Sequence, residues 1–115
     1  DAGTGGSVVV QSGHSVKSNA GNLSLAGGLT SSSSAQGGSV YVTSGGGAEG
    51  APAMSSGSIV LETAKTANYS GSIAISTGNA NSETGSILLS TGHSDIDSAG
   101  NIEVAVGISH TKFGS

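Results

Sequence analysis

One eight-residue pattern constrains this chain more than any other feature. It opens on Gly, places large aliphatic residues at its third and fifth positions, and recurs seven times. The copies begin at Gly6 (GSVVVQSG), Gly21 (GNLSLAGG), Gly38 (GSVYVTSG), Gly57 (GSIVLETA), Gly71 (GSIAISTG), Gly85 (GSILLSTG) and Gly100 (GNIEVAVG). Their starts lie 14 to 19 residues apart. The paired aliphatics are Val8/Val10, Leu23/Leu25, Val40/Val42, Ile59/Leu61, Ile73/Ile75, Ile87/Leu89 and Ile102/Val104. A period of two puts each pair on one face of a strand, and the β-branched excess agrees. The seventh position is small or hydroxylated in six copies (Ser12, Gly27, Ser44, Thr63, Thr77, Thr91), with Val106 the exception.

The repeat matters because the composition alone points elsewhere. With 21 Gly and 24 Ser in 115 residues, the chain has the bias of a linker, and such chains ordinarily cannot bury enough apolar surface to offset conformational entropy. Here the apolar residues are concentrated at fixed positions, which favours order. The connections are too long for tight hairpin turns: residues 78–84 read GNANSET, enough for a turn, a short return strand and a second turn. The expected fold is therefore all-β, a thin parallel β-solenoid of about seven coils with 14 to 19 residues per coil, forming one domain over residues 1–115. Like side chains would stack at roughly 4.8 Å, and an Asp at Ile73 or Ile87 would bury an unpaired charge and unfold the rod. Residues 29–37 and 45–56 read as loops inserted at a corner, the latter holding Pro52 and Met54. The ends of such a rod would expose unpaired strand edges, with only His110, Lys112 and Phe113 available as a weak cap.

The repeat, written G-[SN]-[VIL]-x-[VIL]-x-[ST]-G, resembles the β-helical repeats of filamentous-haemagglutinin-type surface adhesins and the Gly/Ser-rich repeats of algal and other microbial extracellular proteins. The likeness covers residues 6–107 and carries no catalytic motif. It implies an exported rod, stalk or fibre, extracellular or on a cell or virion surface. Because the chain begins at Asp1, it reads as a processed protein or a segment of a longer repeat protein.

Composition also limits the partners. Three Lys, no Arg and 3% aromatic residues leave little to neutralise phosphates or stack bases, so no nucleic acid is expected. No apolar run approaches the ~20 residues of a membrane span, and no basic amphipathic stretch would lie on a bilayer, so no membrane insertion is expected. The absence of Cys removes disulfides and thiolate metal sites without choosing a compartment. No cofactor is implied.

The outward positions of the seven copies form columns. Ser7, Asn22, Ser39, Ser58, Ser72, Ser86 and Asn101 would make a hydroxyl and amide ladder, stacked and hydrogen-bonded along a rod. Val9, Tyr41, Val60 and Leu88 would make an exposed apolar stripe. Such a stripe suits lateral contact with another chain, against the plainer reading that single apolar residues are tolerated on any surface. Self-association end to end and laterally follows, as a homo-oligomer or filament. The third column, with Thr43, Ser76 and Ser90, is broken by Glu62.

Ice binding by a hydroxyl ladder is the alternative ligand class, though the rows are mostly Ser and are interrupted by Glu62 and Glu103. A polysaccharide-binding or polysaccharide-active β-helix is a second alternative. An enzyme would need clustered acids or bases, and the seven acidic residues are scattered, so no catalysis is expected. His14 and His93, each in a Gly-His-Ser, lack ligand spacing. His93 with Asp95 matches a catalytic triad in composition only, and Asp95 and Asp97 lack the repeat pattern of calcium-binding solenoids. Asn22-Leu-Ser24 and Asn68-Tyr-Ser70 match the glycosylation acceptor pattern.

Overall fold

A computed structural model describes residues 3–48 and 55–110. Pro52 and Met54 in the second insertion, and Lys112 and Phe113 of the expected cap, lie outside the described residues. The chain divides into two units, Asp1–Leu61 and Glu62–Ser115.

Among the described residues there is no helix and no strand, which overturns the expectation of an all-β parallel solenoid of seven coils. The repeat is nonetheless visible in the backbone. All seven copies run without a turn or bend, and every turn or bend falls in a connection: residues 16–18, 33–35, 67–68, 81–82 and 95–97. The division follows composition. Aliphatic residues resist tight turns, whereas Ser, Asn, Asp and Gly supply local hydrogen bonds that stabilise them.

What joins one copy to the next is a neck, where the first Gly of a copy returns to the end of the copy before it. In the first unit the Gly21 N–H donates to the Gly13 carbonyl (3.0 Å), Gly38 to Gly28 (2.8 Å) and Gly57 to Gly45 (2.8 Å). In the second unit the nearest neighbour is a methyl group of the seventh-position Thr. A Cβ built on Gly71 would stand 3.6 Å from Thr63 Cγ2, one on Gly85 3.6 Å from Thr77 Cγ2, and one on Gly100 3.9 Å from Thr91 Cγ2. The seventh position is therefore small or hydroxylated because a glycine of the next copy lies against it. Val106 is the exception.

The necks account for the failure of the solenoid. A two-strand coil requires the connection to travel along the stack and bring Gly85 over its counterpart Gly71. The connection instead closes on itself, and the atoms nearest Gly85 belong to Thr77 at the end of the preceding copy. No ladder of backbone hydrogen bonds joins like positions among the described residues. Nor is any side chain buried among the described residues. Among the described residues only Ser12, Ser15 and Gly27 reach intermediate burial, all at a neck or in the turn beyond it, and the rest are exposed. The substitution of Asp for Ile73 or Ile87 loses its expected effect for the same reason: each position is more than half exposed, so the carboxylate would keep its water.

Shielding is graded, and the necks set the gradient. Leu23, Val40, Ile59, Ile73, Ile87 and Ile102, each just after a neck, retain 51–59% of their exposure, while Val8, which no neck precedes, retains 91%.

The second connection has the closest backbone approach. A Cβ on Gly27 would overlap the Gly38 carbonyl oxygen, and one on Gly38 would lie 2.8 Å from the Gly28 nitrogen. No described glycine has a left-handed φ, so the need for glycine here is one of space. Gly27→Ala should therefore open this neck and reduce the exchange protection of the Gly38 amide by up to about tenfold, given ~0.5–1.5 kcal/mol for a solvent-facing bond. Gly85→Ala, which meets only ordinary contact with Thr77, should leave the neck amides unchanged. Amide hydrogen exchange by NMR measures both, and an unaltered Gly38 amide in Gly27→Ala would refute backbone-on-backbone packing.

Removing residues 31–34 tests the insertion. The bonds there are internal to it: the Ser32 N–H donates to Thr30 Oγ1 (3.2 Å) and the Ser34 N–H to Ser32 Oγ (3.3 Å). Closure entropy changes by only ~0.5 kcal/mol when such a loop is roughly halved. The Gly38 amide should keep its protection in the deletion variant.

Candidate interaction surface

The surface of this chain is organised by two local motifs, the unbent copy and the closed connection. In three of the copies the residue between the two aliphatics faces water more fully than they do. Tyr41 (87%), Val60 (75%) and Leu88 (85%) are each more exposed than the aliphatic residues flanking them. Tyr41, Val60 and Leu88 are thus the most exposed large apolar side chains of their copies. Val9 is exposed as well but less so than Val8. The contrast with the other face is one of degree, because the paired aliphatics are also solvated.

The hydroxyl and amide column is not brought together. No hydrogen bond joins any two of Ser7, Asn22, Ser39, Ser58, Ser72, Ser86 and Asn101 among the described residues. Ser and Thr act instead inside the connections. Ser15 Oγ accepts from the Ser18 N–H (3.0 Å) and lies 2.9 Å from Ser18 Oγ. Thr66 Oγ1 donates to the Tyr69 carbonyl (2.8 Å). Ser94 Oγ accepts from the Asp97 N–H (3.1 Å), and the Asp97 carboxylate accepts from the Ser98 N–H (2.7 Å) and its hydroxyl (3.4 Å). Such side-chain to backbone bonds replace the ladder a turn would otherwise lack.

A longer unit, which the eight-residue pattern conceals, emerges from these bonds. The connection from Gly13 to Asn22 reads GHSVKSNAGN, and that from Gly92 to Asn101 reads GHSDIDSAGN. Both put a Ser hydroxyl under the N–H three residues on, at the same place after Gly-His. The two Gly-His-Ser segments are thus one turn used twice. His14 and His93 are exposed in these turns, and no group of three or more His, Cys, Asp or Glu able to hold a metal occurs among the described residues. Asp95 lies within the bend at 95–97, and Asp97 is engaged in it through Ser94 and Ser98. The signal was available in the sequence, in the matching Ala-Gly-Asn exit of both segments.

Of the glycosylation acceptors, Asn68 sits in the bend at 67–68, spanned by the bond from Thr66 to Tyr69, and is exposed. Asn22 is exposed beside the first neck. Among the described residues no pocket is found, and no helix is long and apolar enough to cross a membrane. Compared with models of known families, with curated proteins and with solved structures, the chain matches none.

If the shared turn is held by its Ser, Ser94→Ala should deprive the Asp97 amide of its acceptor and raise its exchange rate several-fold, consistent with ~0.5–1.5 kcal/mol for such a bond. Ser94→Thr should preserve it. Exchange measured at Asp97 and, in Ser15→Ala, at Ser18 should respond alike, and a response at one site only would separate the two turns.

Proposed function

We propose that this chain is a structural or adhesive repeat segment of an extracellular or surface assembly, acting without catalysis. The observation that carries the reading is its surface. The chain exposes 12072 Å², whereas a compact monomer of 10.8 kDa would expose roughly 5,500 Å². The excess is built from seven similar copies whose aliphatic side chains all lie open, separated by hydroxyl-rich turns that fix themselves locally. An array of that kind makes many weak, like contacts over a long surface, as a fibre or an adhesive segment does. A reaction would require convergent groups, and the acidic residues of this chain are dispersed along it. Asn68, exposed in a bend, is well placed for a glycan if the protein is exported.

An antibody raised against the chain tests the reading. The native protein should be recovered from the extracellular or surface-bound insoluble fraction, and glycosidase treatment should increase the mobility of material carrying Asn68. Recovery only as a dilute intracellular species would refute the assignment. Thermal hysteresis measured on the same native material would instead favour the ice-binding alternative.

A further inference from the structure

We infer that the seven copies are pairing edges for a second copy of this same chain, and that the two associate in parallel, each repeat lying against its own counterpart. The inference rests on the reading of the chain as an assembly segment and names its partner.

Three observations lead there. The first is backbone chemistry. Among the described residues, the backbone-to-backbone hydrogen bonds are those of the necks, and none involves the interior of a copy. Each copy therefore presents N–H and C=O groups along an unbent run, the template to which another strand adds. The second is surface. The excess over a compact monomer is several times the ~1,200–2,000 Å² that a stable interface removes from water. The third is charge and spacing. Only 9% of residues are charged, so like copies meet without strong repulsion, and cross-strand pairs of Val, Ile and Leu stabilise one another. Successive copies begin 15, 17, 19, 14, 14 and 15 residues apart. A second chain shifted by one repeat would set connections of unequal length against each other at four of five places, whereas an unshifted chain matches all seven copies and all six connections. The irregular spacing selects the second copy in register.

The geometry also names the side chains. In an in-register pair Val9, Tyr41, Val60, Leu88 and the paired aliphatics would each lie beside their equivalents about 4.8 Å away.

The chain contains no Cys, so Ser76→Cys supplies a single site for a nitroxide label. Sedimentation velocity and far-UV circular dichroism are followed as concentration rises, and electron paramagnetic resonance reports on the labelled chain. Association should bring an increasing β signal, together with strong spin–spin broadening that disappears on dilution with unlabelled chain. A double Ile73→Pro, Ile87→Pro variant, which removes two N–H groups from the pairing edges, should raise the midpoint concentration at least tenfold. Ser33→Pro, in the insertion outside the seven copies, should leave the midpoint within about threefold.

A chain that stays monomeric at all concentrations overturns the inference, and recovery of the native protein from a surface assembly would then leave the structural reading standing with a different partner. Association that the Pro substitutions do not weaken would show apolar contact without backbone pairing. Association without spin–spin broadening would rule out the register.

Discussion

Everything ordered in this chain depends on the approach of a glycine to the end of the repeat before it. At Gly21, Gly38 and Gly57 the approach is sealed by a backbone hydrogen bond, and at Gly71, Gly85 and Gly100 a Thr methyl lies beside the glycine. The difference follows from the seventh position. Ser12, Gly27 and Ser44 leave room for backbone to meet backbone, while Thr63, Thr77 and Thr91 interpose a methyl. The same contact decides which side chains are sheltered, since each aliphatic residue just after a neck loses close to half its exposure.

The necks also explain why regular alternation did not become a sheet. Period-two hydrophobicity says which residues share a face, but it cannot say what covers that face. In a solenoid the cover is the next coil, brought over by a connection that climbs. Here the connections close on themselves through bonds such as Ser15 with Ser18 and Ser94 with Asp97, so the next copy arrives beside the end of its predecessor. The exposed aliphatics at both faces follow directly, and so does the lack of any stacked Ser and Asn ladder.

How much was legible can be judged residue by residue. The seven copies and their freedom from turns were implicit in the alternation, which is a local property. The neck was half visible. The column from Ser12 to Thr91 was seen to be small, but glycine packed against backbone leaves no side-chain mark of its own, and its partner lies 8 to 13 residues further along the chain. The shared turn after His14 and His93 was concealed because the aligned unit ended at Gly13 and Gly92. What could not be read was the architecture, because that depends on the path of connections rich in Ser and Gly, whose backbone is the least restricted in the chain.

The exposed repeat leaves a physical imbalance that a single chain does not resolve. Intramolecular pairing would have to bend a connection of 6 to 11 intervening residues back along the preceding copy, against the local hydrogen bonds that already fix several of those turns. A second chain asks for no such change. It can lie along the copies as they stand, satisfy their open N–H and C=O groups, and cover the aliphatics with their own equivalents. The necks that frustrate a fold within one molecule therefore leave its edges available between molecules, and a repeat that closes its own loops is by that fact an open surface.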